Sequence, residues 1–187
     1  MNHLFLVFAF YSIAFVSFLV MVLYLILMFD LVFGGHDFTT STEAIQSISG
    51  FINANKKGPG TLYDLGSCRG DLVLGILKNC PQLKAHGIDN GRVRNLFSRG
   101  RAFLLNRPAQ FVLGDIFQTN VSDANIVYIY LDQSLMPSLE EKLQKELKPG
   151  SMVITNTQHL PTWPLSQTVI VHPNKPAFEK LFIYIKS

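Results

Sequence analysis

Residues 61–77 constrain the fold more than any other part of the chain. Thr61-Leu62-Tyr63-Asp64-Leu65 is an apolar approach carrying an acid near its end. Gly66-Ser67-Cys68-Arg69-Gly70-Asp71 follows as a glycine-punctuated turn. Leu72-Val73-Leu74-Gly75-Ile76-Leu77 then runs on with helical character. The segment reads as a strand, a tight loop and the start of a helix. Such a loop presents bare backbone at a helix N-terminus, where a nucleotide-like cofactor can sit.

The rest of the chain repeats the alternation. A helix is expected at about 41–54, followed by a strand at 61–65 and a helix at 70–79. A second strand (83–89), a helix (91–105) and a short strand (110–113) come next. A strongly apolar strand at 126–131, an amphipathic helix at 135–147 stopped by Lys148-Pro149-Gly150, and a strand at 152–155 complete the pattern. Residues 168–172 and 178–186 read as a hairpin around Pro173-Asn174-Lys175-Pro176. Strands alternating with helices predict an α/β, doubly wound, mostly parallel sheet.

Leu4 to Phe29 contains no charged residue. At about 1.5 Å per residue this run makes roughly 39 Å of helix, enough to cross a hydrocarbon core of about 30 Å with some tilt. It is apolar on every face, unlike a core helix. It is longer than a signal-peptide core and no Lys or Arg precedes it, so a retained transmembrane anchor is expected. The expected organisation is an anchor at 1–33, a linker at 34–40 and a cofactor-binding domain at 41–187. The residues after the run (Asp30, Asp37, Glu43) are acidic and give no orientation by the positive-inside rule.

The net charge of +3 is mild, and charge does not imply a nucleic-acid partner. Arg92, Arg94, Arg99, Arg101 and Arg107 do cluster. They read either as a solvated helix face or as a docking surface for an acidic partner or membrane headgroups. Cys68 and Cys80 have no metal-ligand spacing, and no metal site is expected.

In a doubly wound sheet, ligands bind at the carboxyl ends of the strands. Asp64, Asp89 and Asp115 all fall there. Asp89 is spaced from Asp64 as expected for an acid that binds a ribose diol. Gly66 and Gly70 with Cys68 between them do not make the NAD fingerprint, and a phosphate-binding Gly-Lys-Ser/Thr is missing. Asp-x-Gly-x-x-x-Gly fits better to a cofactor without a phosphate to cradle, S-adenosylmethionine.

Several further motifs lie in order along the chain. Thr40-Ser41-Thr42-Glu43-Ala44-Ile45 comes first, then Asp64-Leu65-Gly66-Ser67, Gly87-Ile88-Asp89-Asn90 and Gly114-Asp115-Ile116-Phe117. Tyr130-Leu131, residues 139–150 and Leu160-Pro161-Thr162-Trp163 follow. In this series the chain resembles the class I, seven-strand methyltransferases. It is most similar to the membrane-anchored protein-lysine methyltransferases, the ATP-synthase c-subunit lysine methyltransferase family and its archaeal and bacterial relatives.

The resemblance implies a Rossmann-like methyltransferase fold behind an N-terminal transmembrane helix, and S-adenosylmethionine as cofactor. It implies that Asp64, Gly66, Ser67 and Gly70 hold the methionine end, Asp89 and Asn90 the ribose, and Asp115, Ile116 and Phe117 the adenine. Tyr130 and Leu131 would lie at the methyl-transfer end, with Asp132 beside them. Tyr130 or Asp132 would orient or deprotonate the acceptor amine, and Leu131, His159 and Trp163 would line the substrate channel. Asp132 can equally be a helix N-cap, His159 a loop residue and Trp163 a core aromatic. The implied activity is protein-lysine N-methylation at the membrane, with the catalytic domain facing the cytoplasm. The alternatives are methylation of a lipid or small apolar molecule, or a non-catalytic module with a degenerate loop. Relatives commonly have Gly where this chain has Cys68. A positive φ at that position would cost a cysteine roughly 1 kcal/mol.

Overall fold

The computed structural model describes residues 2–33, 39–55 and 58–187. They fall into two units, one within residues 1–37 and one within 38–187. Most of the expected linker, 34–38, and the Lys56-Lys57 pair of the first expected helix stop lie outside the described residues.

The described residues of the first unit form one uninterrupted helix, α1 (Asn2–Phe33). Its stretch His3–Leu25 has a mean hydropathy of 2.6. Its described side chains are almost all exposed within their own unit, so the helix has no core of its own to face.

The second unit is a seven-stranded sheet flanked by helices. Its elements are α2 (Thr42–Asn55), β1 (Gly60–Leu65), α3 (Asp71–Asn79), β2 (Leu83–Asp89), α4 (Arg92–Leu104) and β3 (Gln110–Leu113). After these come β4 (Ile126–Ile129), α5 (Met136–Glu146), β5 (Met152–Asn156), β6 (Gln167–Ile170) and β7 (Lys180–Ile185). The strand order is β3-β2-β1-β4-β5-β7-β6. β7 runs antiparallel to both neighbours and the other pairings are parallel. The chain moves outward from β1 to β3, then returns to lay β4 on the other side of β1. This reversal opens a crevice between the carboxyl ends of β1 and β4.

Both faces of the sheet are covered, which is why β4 and β5 are buried throughout and read as continuous apolar runs. On one face, Ile48 and Ile52 of α2 and Ile76 and Leu77 of α3 pack with Leu62 and Ile126. On the other, Leu139 and Leu143 of α5 pack with Val127, Ile129 and Val153. Ser41 caps α2 by accepting the Ala44 N–H at 3.0 Å.

The sequence boundaries differ from the structure most clearly after β4, before α5 and in the final hairpin, whose second strand begins at Lys180 and not at 178. β4 stops at Ile129 rather than at residue 131, because Leu65, the last β1 partner, pairs with Ile129 and β1 then turns away at Gly66. The helix expected from 135 begins instead as a 3-10 turn, Gln133–Leu135, capped by Asp132. The first strand of the final hairpin ends at Ile170, not at 172.

Ile48 is 1 % exposed, on the α2 face packed against the sheet. Ile48→Ala is expected to destabilise the second unit by about 2–5 kcal/mol, the range for large-to-small core changes. Denaturant unfolding followed by tyrosine fluorescence checks it.

Candidate active site

The crevice between β1 and β4 holds a narrow, partly open cavity. Its lining includes Thr39, Thr40, Asp64, Gly66, Ser67, Cys68, Asp71 and Tyr130. The structure therefore brings together Asp64, Gly66, Ser67 and Tyr130, whereas Gly70 packs against Phe111 and does not line the cavity. It adds Thr39 and Thr40, which precede α2 and reach the site from far away in sequence.

The loop after β1 is built by three residues in left-handed backbone. Gly66 has φ 88°, Cys68 φ 45° and Gly70 φ 78°. A Cβ on Gly66 would meet Leu131 Cδ2 at 2.6 Å, and one on Gly70 would meet Phe111 Cζ at 2.4 Å. Glycine is needed at both. Cys68 meets the same backbone demand with a side chain. The N–H groups of Gly66 and Ser67 both donate to the Ile88 carbonyl at 2.9 Å, tying the loop to β2.

Asp89 fixes the loop from the other side. Its Oδ2 accepts the Cys68 N–H at 2.9 Å. Its Oδ1 accepts the Gly91 N–H at 2.7 Å and Arg94 Nε at 3.0 Å, and Arg94 Nη2 also lies 3.0 Å away. Both Asp89 and Arg94 are buried. Oδ1 thus faces the start of α4 and its arginine, while Oδ2 faces the glycine loop. The spacing of the acids suggested that the Asp89 carboxylate accepts from a ribose diol. In the structure the same carboxylate also holds the glycine loop and the buried arginine.

Asp64 is 4 % exposed at the end of β1. Burial pushes its pKa well above the ordinary carboxylate value, and the nearby charges of Asp89 and Asp71 push it the same way. Asp71 is itself paired with Arg101, whose Nη1 donates to it at 2.6 Å and to the Arg69 carbonyl at 2.8 Å. Ser67 is 5 % exposed, and its Oγ has no hydrogen-bond partner among the described residues. An orphaned buried hydroxyl on the cavity wall marks a polar group that a ligand would satisfy.

The remaining expected residues scatter. Asn90 is exposed, and its Oδ1 accepts from Arg94 Nη2 at 3.4 Å. Asp115 is exposed, with its Oδ1 accepting the Phe117 N–H at 2.8 Å in a local turn. Ile116 packs against the core while Phe117 is 38 % exposed. Leu131 lies over Gly66. The Oδ1 of Asp132 accepts the Ser134 N–H at 2.9 Å, the N-cap arrangement.

His159 is exposed, and its ring lies 3.7 Å from that of Phe182. Its carbonyl accepts from Gln133 at 3.1 Å, so it stays near the segment after β4. Trp163 does not join the site. Its indole N–H donates to the Ile185 carbonyl at 3.2 Å. Ile185 pairs with Met152, the first residue of β5, so Trp163 lies at the amino ends of the parallel strands, packed as a core aromatic.

Sequence reading missed a buried polar chain beside the cavity. Tyr128 pairs in register with Asp64. Its hydroxyl hydrogen-bonds Thr40 Oγ1 at 2.8 Å and accepts from Asn156 Nδ2 at 3.0 Å. Asn156 also donates to Glu179 Oε1 at 2.6 Å. Ser41 Oγ donates to Glu179 Oε2 at 2.6 Å, and His172 Nε2 lies 3.1 Å from the same oxygen. Burial raises the Tyr128 pKa and keeps the phenol neutral. The sequence signal was slight: a tyrosine inside one apolar strand and an asparagine ending the next.

The ANTKMT methyltransferase domain profile matches residues 64–167, more than half of the chain, and the chain belongs to that family. A protein-lysine N-methyltransferase of Saccharolobus islandicus (strain REY15A) is 29% identical over 54% of this chain and 65% of its own. An ATP synthase c-subunit lysine N-methyltransferase of Mus musculus is 30% identical over 58% of this chain and 43% of its own. The chain thus spans less than two-thirds of the length of these curated relatives. In structure it is similar to an RNA methyltransferase of Salinibacter ruber solved with S-adenosyl-L-homocysteine. The TM-score is 0.70 at 21% identity, covering 79% of this chain and 92% of the other. That likeness confirms the seven-strand methyltransferase fold.

Cys68→Gly is expected to stabilise the second unit by up to about 1 kcal/mol, the left-handed penalty less the extra flexibility of glycine in the unfolded chain. A higher thermal midpoint in the variant supports the strained loop; a lower one refutes it.

Proposed function

We propose that this member of the ANTKMT methyltransferase family is an S-adenosylmethionine-dependent protein-lysine N-methyltransferase working at a membrane. The observation that carries the reading is the β1–β4 cavity, where a buried Asp64 and the orphaned Ser67 hydroxyl sit beside a left-handed glycine loop. The lysine methyltransferases among the relatives support the acceptor class.

The residues present fit S-adenosylmethionine. Asp64 and Ser67 would hold the charged methionine end, with the bare backbone of Gly66 admitting close approach. Asp89 would accept from the ribose hydroxyls beside the Cys68 N–H. Asp115 would accept from the adenine amino group, with Ile116 and Phe117 beside the ring. When bound, the cofactor supplies a methyl group on a positively charged sulfur, already activated for displacement.

The protein's work is alignment and exclusion of water. Tyr130 lines the cavity where the chain leaves β4, and Leu131 beside it covers Gly66. Tyr130 would orient the incoming lysine amine by its hydroxyl after the amine has lost its proton. Asp132, committed to capping the 3-10 turn, would act by holding that segment in place. Thr40, pinned to Tyr128, keeps the segment before α2 over the cavity. Residues 41–187 would form the catalytic domain, with 34–40 as linker. The apolar α1 would anchor the chain in the bilayer, with the domain on the cytoplasmic side where the cofactor is made.

Labelled methyl transfer from S-adenosylmethionine into membranes, followed by separation of protein from lipid, tests the acceptor. Label in protein, released as methyl-lysine on hydrolysis, is expected. Label confined to lipid would replace the reading with the lipid alternative, and calorimetry showing no cofactor binding would leave a non-catalytic module.

The raised Asp64 pKa sets a pH dependence. In the folded state the protonated acid is favoured, so stability from this group is full at low pH. It is lost as pH climbs from the ordinary carboxylate value toward the raised one. Cofactor binding runs the other way, because a positive methionine ammonium favours the ionised carboxylate. Affinity is expected to rise with pH across the Asp64 titration, and Asp64→Asn to be weak and flat; calorimetric titration over a pH series measures both.

A further inference from the structure

We infer that the outer face of α4 is a docking surface for an anionic lipid bilayer. α4 is built inside out. Its buried residues are Arg94, Asn95, Ser98 and Ala102, three of them polar. Its outward positions carry the large apolar side chains. Leu96 is 72 %, Phe97 52 %, Phe103 85 % and Leu104 81 % exposed. Leu96, Gly100, Phe103 and Leu104 follow the i, i+4, i+7, i+8 spacing of a single helix face. A helix of a water-soluble surface orients its apolar stripe inward, so this stripe is matched to an apolar phase outside the protein.

The inward polarity has its own cause. Arg94 is buried to reach Asp89, and the Ser98 hydroxyl donates to the Arg94 carbonyl at 2.6 Å. The apolar side chains are left with the outer face. It continues past the helix end into Leu105, 54 % exposed, and α4 packs beside the edge strand β3, where Val112 and Leu113 are also exposed.

Charge identifies the occupant. Residues 90–114 contain five arginines and no aspartate or glutamate. Arg94 and Arg101 are bound to Asp89 and Asp71. Arg92 and Arg99 are exposed and border the apolar stripe, and the half-buried Arg107 follows it. Aromatic and leucine side chains flanked by arginine form an interfacial surface, with the rings entering the acyl boundary and the guanidinium groups among anionic headgroups. This surface goes beyond the anchoring proposed for α1. It would hold the β3 edge of the catalytic domain against the bilayer.

The test uses the full chain with Phe103→Trp, reconstituted into vesicles with brominated acyl chains. One set is phosphatidylcholine alone, and the other is phosphatidylcholine mixed with phosphatidylserine. Phe103 is exposed, so the tryptophan reports without disturbing a core, and the buried Trp163 of the unsubstituted chain gives the background. Quenching of the new tryptophan above that background, stronger in the anionic vesicles and weakened by salt, is expected. Adding Arg92→Glu and Arg99→Glu should lower the docked-to-undocked ratio by about fivefold or more for each arginine lost.

No quenching beyond background overturns the proposal. Cross-linking of the face to a second copy, or to an acidic protein, in place of quenching overturns it in favour of that occupant. Equal quenching in neutral and anionic vesicles, unaffected by the charge reversals, overturns the role of the arginines. Resistance of the chain to alkaline extraction reads the α1 anchor separately, so the two readings fail independently.

Discussion

The Asp89–Arg94 pair is the contact on which the rest of the site depends. One carboxylate at the end of β2 reaches three places. It holds the left-handed Cys68 N–H of the glycine loop, the Gly91 N–H at the start of α4, and the guanidinium in the first turn of that helix. Burying an ion pair gives little net stability, because desolvation consumes much of the attraction. Breaking one by removing a partner is costly, since the remaining charge stays buried. The pair therefore specifies geometry more than it adds free energy. It fixes where the loop lies relative to α4 and in which rotation α4 meets the sheet.

A second set of buried polar groups does similar work on the opposite side of the crevice. Tyr128 within β4, Asn156 at the end of β5 and Glu179 just before β7 belong to three strands, and they receive Thr40 and Ser41 from the segment before α2. Ser41 serves twice, as the α2 cap and as a donor to Glu179. The position of α2 over the sheet and the position of Thr40 on the cavity wall are thus one constraint. Each of these buried groups has a partner, which is the condition under which a polar network stiffens a site instead of weakening it.

The order of strands and helices was legible in the sequence because both faces of the sheet are covered. Apolar runs such as Ile126–Ile129 and Met152–Asn156 stand out when every residue is buried. The acids at the strand ends were legible for the same reason, since a carboxylate interrupts such a run. The roles of single residues after the strands were less so. Trp163 sits in a loop that crosses from the carboxyl ends of the strands to their amino ends, and the direction of that crossing is not written in local pattern. Asp132 caps a 3-10 turn, an arrangement with the same residue types as a catalytic acid beside a helix. The Tyr128–Glu179 network joins residues far apart in sequence that carry no shared motif. Arg94 looked like one member of a surface cluster, because nothing local distinguishes a buried arginine from an exposed one until Asp89 is seen to face it.

The same pair links the interior of the site to the outside of the molecule. Arg94 must turn inward to meet Asp89, and with Asn95, Ser98 and Ala102 it takes up the face of α4 that packs on the sheet. A helix this short has one face to bury, so an inward polar stripe leaves Leu96, Phe97, Phe103 and Leu104 outside. Rotating α4 to bury those side chains would pull the guanidinium from its carboxylate and release the Cys68 N–H from a fixed acceptor. The left-handed cysteine would then lose the contact that holds its backbone in a costly conformation. An apolar outer surface on α4 is therefore the structural consequence of an ordered cofactor loop.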